Sequence, residues 1–454
     1  MKLLSGLSGT SLRDKSIRSS VLTVFDFGVQ NMLRLVGNLV LTRILFPEAF
    51  GLMALVQVVM IGLNMFSDLG LRMSIIQNKR GDDPFYLDTA WVLQIGRGVL
   101  LWVLTCALAA PMAMFYDAPL LAQLLPVVGI TAVLQGFNST KMATAGRHLA
   151  LGRLTVIEIG ARVVGLVVLV ALALWLESVW ALVIGGLVAP LLIMIFSHTS
   201  LPGRRNRFVF DRSSAGELIS FGKFIFLSTI SGFLVAHADR AVLGKFISLS
   251  DLALYNIAFF LATLPRAVMN KLLDKVLFPL YSRVLEDVTP ERMAKLAKAR
   301  LLIVGCTIAM TTALAICGNW LVTLLYDPRY EAAGPILVLL ALSPLSWFVG
   351  GGYAMMNLAH GHSGRFAGQL VASAAVRTTL LIVLVTQYGI FGAILAPFLA
   401  GILLYPVSVW FIWSYRGWLP LQDLCFAVIS ALVILAALWI NQDAIRTALV
   451  QFGY

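Results

Sequence analysis

Long apolar stretches, each broken by one or two polar side chains and separated by short polar connections, follow one another through almost the whole chain. A hydrocarbon core roughly 30 Å thick takes about 20 residues of helix to cross. The pattern therefore predicts membrane-spanning helices at 20–45, 49–76, 86–113, 119–144, 152–175, 179–198, 217–245, 252–281, 300–325, 333–358, 366–386, 390–414 and 420–441. The polar interruptions fall into stripes, because successive residues of a helix are turned by about 100°. Asp26, Gln30, Arg34 and Asn38 share one stripe of the first span, and Thr155, Glu158 and Arg162 share one of the fifth. Asn256, Thr263, Arg266, Asn270 and Asp274 do so in the eighth, and Gln94 and Arg97 lie on one side of the third. Lipid offers such groups no hydrogen bonds, so the stripes are expected to face a protein interior.

Arg34, Arg97, Arg162, Arg266 and Arg377 each stand near the middle of a predicted span. An arginine at that depth costs roughly 2.5–3.5 kcal/mol on insertion scales, so several of them are expected around a watery, cationic cavity. Arg34, Arg97, Arg266 and Arg377 have no carboxylate three or four positions away on their own helix. Glu158 and Arg162 stand at i,i+4, which suits an intrahelical ion pair as well as it suits a ligand site. Asp239 and Arg240, toward one end of the seventh span, are expected to pair across helices or to reach the interface. The planar fork of arginine matches phosphate oxygens, and a group of such forks attracts multivalent anions. The internal reading is a substrate carrying phosphate or pyrophosphate. A cation carrier would instead show an excess of inward carboxylates.

Composition agrees with a polytopic membrane protein: of 454 residues, 59% are hydrophobic and 12% charged, with a mean hydropathy of +0.90. The net charge of +12 would suit nucleic acid if it formed a patch, but it does not. With the N-terminus in the cytoplasm, most of the 34 Lys and Arg fall in the N-terminal stretch and in connections around 72–84, 141–153, 199–216, 271–300, 360–366 and 415–419. Positive-inside bias accounts for that distribution, and Arg204, Arg205 and Arg207 read as topology determinants. The first apolar run is already long enough to span, so no cleavable leader is expected. Cys106, Cys306, Cys317 and Cys425 lie inside apolar runs without CxxC spacing and read as small buried side chains, neither disulfides nor metal ligands. No metal or organic cofactor is expected.

The chain also resembles itself. Arg43-Ile44-Leu45-Phe46 closes the first span as Lys245-Phe246-Ile247-Ser248 closes the seventh, and Phe115-Tyr116-Asp117 is matched by Leu325-Tyr326-Asp327. Gly146 precedes Arg162 by the same spacing as Gly361 precedes Arg377. The offset between partners grows along the chain, as insertions between duplicated halves would make it. The expected fold is an all-α polytopic membrane protein of two six-helix lobes, 1–198 and 217–414, related by a pseudo-two-fold axis around a central cavity. A cytoplasmic connector at 199–216 joins them, and 415–454 adds a C-terminal transmembrane segment and tail.

The run Leu41-Thr42-Arg43-Ile44-Leu45-Phe46-Pro47-Glu48-Ala49-Phe50-Gly51-Leu52, followed by Asp68-Leu69-Gly70-Leu71, resembles the opening of Wzx-type polysaccharide flippases of the multidrug/oligosaccharidyl-lipid/polysaccharide exporter superfamily. Phe115-Tyr116-Asp117-Ala118-Pro119, Gly152-Arg153 with Glu158, and Val179-Trp180-Ala181-Leu182-Val183 look like later landmarks of its colanic-acid and exopolysaccharide exporter branch. The resemblance implies a transporter, not an enzyme. It implies alternating access by which an undecaprenyl-pyrophosphate-linked oligosaccharide crosses the bacterial inner membrane for exopolysaccharide, capsule or O-antigen synthesis. Arg34, Arg97, Arg162, Arg266 and Arg377 match the pyrophosphate- and sugar-binding cations of such a cavity. Asp26, Asp68, Glu158 and Asp239 are the carboxylates available for coupling to a Na+ or H+ gradient. The implied partners are the lipid-linked oligosaccharide, membrane lipids and the polysaccharide polymerase or export machinery, with no nucleic acid. The competing readings are a multidrug or cation antiporter of the same superfamily and a membrane polysaccharide polymerase or ligase. The short outer connections argue against the latter.

Overall fold

The computed structural model describes residues 12–223, 226–273, 277, 280–281, 289–413 and 418–453, with side chains from 21 onward except at 24, 221–223 and 226–228. Asp274 of the eighth-span stripe lies outside the described residues. Among those described, all regular structure is helical. Eight helices are long and apolar enough to cross a membrane, and up to ten if each of two bent pairs counts as one span. The predicted spans 366–386 and 390–414 are the two helical arms of Ser363–Ile412, parted by a kink at Tyr388 and Gly389, where the backbone is not helical and Gly389 takes φ +44°. The spans predicted at 20–45 and 217–245 fall on Leu12–Ile44 and Phe226–Phe246, whose polar residues lower their hydropathy.

The chain divides into two compact units, Met1–Ile230 and Ser231–Tyr454. The first holds α1 (Leu12–Ile44), α2 (Pro47–Phe66), α3 (Leu71–Gln77), α4 (Pro84–Phe115), α5 (Leu121–Gly136), α6 (Lys141–Arg147), α7 (Leu151–Leu176), α8 (Val179–Thr199) and α9 (Arg212–Lys223). Proline at the first helical positions starts α2 and α4, where a missing N–H costs nothing, and Asp83 caps α4 by accepting from Phe85 N. The segment 49–76, expected to be one span, is broken. α2 ends at Phe66, Gly70 takes the left-handed conformation at φ +60°, and the short α3 follows. The fourth span is bent likewise, α5 and α6 meeting at 57°. α4 packs on α5, α7 on α8, and α1 on α7. At the α4–α5 crossing a Cβ on Gly98 would stand 2.5 Å from Ala132 O, so glycine is what lets the two backbones approach.

The connector does not lead straight into the second lobe. α9, placed by sequence partly in the seventh span, packs on α3 and α4 and buries Leu218. Arg80 bonds Glu217 at 3.0 Å and lies 3.9 Å from Asp211. Upstream, Arg204 pairs with the buried Asp88 at 3.2 Å. The Lys141 ammonium donates to His198 O and Leu201 O, closing the C-terminal end of α8.

The second unit takes in most of α10 (Phe226–Phe246), then α11 (Leu249–Ala262), α12 (Leu264–Leu272), α13 (Pro290–Leu325), α14 (Ala333–Leu342), α15 (Leu345–Val349), α16 (Tyr353–Ala359), α17 (Ser363–Ile412), α18 (Pro420–Ile440) and α19 (Gln442–Gln451). Its order echoes the first unit: a long helix ending in Tyr-Asp, then a bent pair. Here α14–α15 and α16 meet at 46° across Gly350, Gly351 and Gly352, the last at φ +92°. The eighth span is interrupted at Thr263, because Pro265 at the start of α12 cannot continue the hydrogen-bond ladder. The core gathers Met269, Ile303, Val304, Leu345, Phe348, Tyr353 and Phe426.

The cysteines correct an expectation. All four are exposed on the helices and free. An apolar run does not say which of its faces meets lipid, and a small thiol is tolerated there.

Candidate functional site

The arginines expected to act together fall into different surroundings. In the second unit a cavity of about 170 Å³ is bounded by Arg266 of α12, Ser346 and Trp347 of α15, and Gln369, Ser373 and Arg377 of α17. Gln369, Ser373 and Arg377 stand four residues apart, so one stripe of α17 supplies all three. The Arg266 guanidinium lies over the Trp347 ring, 5.1 Å from its centroid. Arg377 is within electrostatic reach of Arg266 and Asp239. Among the described residues neither guanidinium is bonded to a carboxylate or carbonyl, and no carboxylate lines the cavity. Gln369 is fixed by Asn357 at 3.2 Å and Ser408 at 3.0 Å. Two half-buried cations with hydroxyl and amide donors make a site for an anion that brings several acceptor oxygens.

Arg97 is placed differently. Its Nε donates to Ser67 O at 2.8 Å and Ser67 Oγ at 3.1 Å, and its Nη2 to Asn64 O at 2.7 Å. These carbonyls belong to the C-terminal end of α2, left open where the helix stops short. Gln94, one turn earlier on α4, donates through Nε2 to Gln135 O, Gly136 O and Asn138 O at 2.9, 3.0 and 3.1 Å, the open end of α5. The two polar residues of the third span thus close two broken helices. They also border a cavity of about 210 Å³ whose wall includes Asn64, Asp68, Arg72 and Gln135. Asp68 accepts from Gly70 N at 2.9 Å, shaping the turn after α2.

Arg34 is exposed on α1 and Arg162 half-buried on α7; neither lines these two cavities. Glu158 and Arg162 form no ion pair within 4 Å among the described residues, although they remain within electrostatic reach. Glu158 also feels Asp26. Asp26 is bonded by Gln30, and its Oδ1 is buried without a described partner. Asp239 accepts from Tyr255 at 2.8 Å and lies 3.7 Å from the Arg240 Nε. Among the described residues no group of three or more His, Cys, Asp or Glu could hold a metal ion.

Sequence reasoning placed Arg300 in a polar connection and gave Asp423 no role. The two form a fully buried ion pair at 2.6 Å. Asp423 also accepts from Tyr353 at 2.6 Å, Tyr405 at 2.8 Å and Trp418 at 3.2 Å. Arg300 lies 4.4 Å from the Tyr353 ring centroid and donates to Val349 O. The pair ties α18 to α13. No local signal marks it, since its members are brought together only by the fold. The stripe of Gln369, Ser373 and Arg377 was legible and was overlooked.

Outside the spans, Arg80 holds the Asp83 carboxyl below the usual range. The Ser213 and Ser214 hydroxyls hold Asp211 well below it.

Among known proteins, the chain is 25% identical over 346 residues to the lipopolysaccharide biosynthesis protein WzxC of Escherichia coli (strain K12), covering 75% of this chain and 69% of that one. It is 25% identical over 320 residues to the succinoglycan biosynthesis transport protein ExoT of Rhizobium meliloti (strain 1021), covering 68% of this chain and 63% of that one, under two thirds of its length. Among solved structures, the lipid II flippase MurJ in an inward closed conformation superposes with a TM-score of 0.69 at 13% identity, covering 96% and 98% of the two chains. An inward-facing multidrug resistance MATE transporter gives 0.64 at 14% identity, covering 94% and 98%. These likenesses establish a two-lobed, all-helical transporter fold in a multi-pass bacterial membrane protein. Residues 40–335 match the family model described as polysaccharide biosynthesis protein, and this chain belongs to that family.

Proposed function

We propose that this protein is a flippase that moves undecaprenyl-pyrophosphate-linked oligosaccharide repeat units from the cytoplasmic to the periplasmic leaflet by alternating access. The observation that carries the reading is the second-unit cavity, where Arg266 and Arg377 face one space that no carboxylate among the described residues lines. A multidrug cation would be repelled there; pyrophosphate would be held by bidentate, charge-assisted bonds. The names of the relatives support it: WzxC and ExoT are described as acting in lipopolysaccharide biosynthesis and succinoglycan transport. A lipid carrier can keep its tail in the bilayer while the headgroup passes through a hydrated cationic site, which avoids taking pyrophosphate through hydrocarbon. No covalent bond need break.

Energy would come from an ion gradient or from consumption of the flipped product. For coupling to Na+ or H+, Asp26 and Glu158 are the best placed, since they lie on two packed helices within electrostatic reach of each other. The N-terminus and the 199–216 connector would face the cytoplasm. In a cysteine-free background, an external thiol reagent should then label cysteines placed at 117 and 327 and spare one at 205.

The deciding experiment is deletion of the gene followed by analysis of the lipid-linked sugar. Accumulation of a pyrophosphate-linked oligosaccharide, relieved by the parent and not by Arg377→Ala at equal expression, is expected. Unchanged lipid-linked sugars would overturn the proposal.

A further inference from the structure

We propose that the first-unit cavity binds the hydroxyl-rich saccharide of the substrate and not its phosphates, a reading that rests on the lipid-linked oligosaccharide proposed above. A phosphate oxygen only accepts hydrogen bonds; a sugar hydroxyl both donates and accepts. A phosphate site therefore presents donors, as the second-unit cavity does, whereas a saccharide site must present both kinds. The wall of the first cavity presents both.

Acceptors come first. The Asp68 carboxylate lines the space, and among the described residues only its Oδ1 is engaged, by Gly70 N. Asn64 and Gln94 use their amide nitrogens on Met60 O and on the end of α5, leaving the amide oxygens as acceptors. Donors are Arg72 and Gln135, both exposed and both on the wall. Arg97 is held in place on this wall by its Nε and Nη2, which bond the carbonyls of α2, and only its remaining N–H groups can reach the space.

The backbone points the same way. α2 and α5 both end at this cavity, and a helix C-terminus carries partial negative charge. Together with Asp68, these ends offset the charge of Arg72 and Arg97, so the wall lacks the cationic excess of the second cavity. A bare metal cation is disfavoured in turn by Arg72 and Arg97 on the same wall. What remains is an uncharged ligand with many hydroxyls. Helices broken at a cavity are also the setting in which transporters of other folds hold their substrates.

Two probes separate this inference from the reading it rests on. One is inorganic pyrophosphate, followed by calorimetry. The other is the free oligosaccharide released by mild acid from the lipid that accumulates in the deletion strain, followed by saturation-transfer NMR. Gln135→Ala removes an exposed amide and Asp68→Asn keeps an acceptor for Gly70 N, so both variants should fold. Each is expected to weaken oligosaccharide binding by about tenfold and to leave pyrophosphate binding within about twofold of the parent. Arg377→Ala should do the reverse. Loss of pyrophosphate affinity in the first-cavity variants, or oligosaccharide binding indifferent to them, would overturn the inference. So would a parent that binds pyrophosphate but not the oligosaccharide. A parent that binds the oligosaccharide through Gln135 and Asp68 but not pyrophosphate would leave the inference standing and sink the phosphate reading instead.

Discussion

Arg97 of the first unit and Arg377 of the second unit are alike in sequence, each a lone cation inside an apolar helix, and the fold gives them opposite employment. Arg97 is used up on the carbonyls of a broken helix. Arg377 and its neighbour Arg266 face open space. The difference lies in what surrounds each. α2 stops at Phe66 with carbonyls unsatisfied, and the nearest long donor must close it. A helix also breaks beside Arg266 and Arg377, at 350–352, but the carbonyls of Val349 and Gly351 there are bonded by Arg300. A charge in a membrane helix therefore says that a partner exists; whether the partner is protein or ligand depends on whether a nearby helix break still has carbonyls that no other donor has taken.

The contrast recurs inside the second unit, and there it should be most costly to disturb. Arg300→Ala would leave Asp423 buried without its countercharge, a loss of about 3–5 kcal/mol, read as a lower melting midpoint in detergent. If the variant melts with the parent and only transport fails, Arg300 belongs with Arg377 and the division between structural and substrate-facing arginines collapses.

Next in size are Arg266→Ala and Arg377→Ala. Each removes charge-assisted bonds worth about 1.5–3 kcal/mol, so transport should fall roughly tenfold to a hundredfold while the melting midpoint stays near that of the parent. Arg→Lys should recover part of the activity, since charge returns without the bidentate fork. Normal polysaccharide export by well-expressed Arg→Ala variants would reassign these residues to helix packing.

Arg97→Ala should show the mirror image. Leaving α2 carbonyls unbonded costs about 1–3 kcal/mol for each buried group, so stability should drop before transport does, and Lys at 97 should restore some of it. A variant that keeps its melting midpoint but loses pyrophosphate binding would put Arg97 with the ligand.

The smallest effect concerns exposed pairs. Asp83 and Asp211 have folded pKa values below the ordinary carboxylate value of 3.8. They therefore stabilise the folded state above that value, and the contribution is lost as pH falls below about 4. Protection factors of the α9 amides, taken after correction for intrinsic exchange, should fall over that window and stay flat from about pH 5 to 8. Surface pairs are weak and screened, so 1 M salt should mimic part of the change; protection factors that fall on raising the pH above about 5 would reverse the assignment.

Much of the architecture was legible because the bilayer imposes it. Length and apolarity mark spans, and a repeated Tyr-Asp after a long helix marks two halves. The breaks were harder to read. Ser67-Asp68-Leu69-Gly70, Asn138-Ser139-Thr140 and Gly350-Gly351-Gly352 stand at three of them, but such short polar or glycine-rich interruptions are equally compatible with one continuous span, and only Pro265 forbids a hydrogen bond outright. Sequence grouped five arginines around one cavity; that Arg266 and Arg377 share one while Arg97 borders another was not legible, because it depends on which helices pack together.

The sequence by itself determined that the chain is a membrane protein of many helices with more cations in its spans than lipid would tolerate, since hydrophobic length and the cost of burying charge are local properties. Only the tertiary structure decided which cation does what. A guanidinium satisfies whatever acceptor the fold brings within about 3 Å: the end of α2 for Arg97, Asp423 for Arg300, and for Arg266 and Arg377 a cavity left open to a ligand.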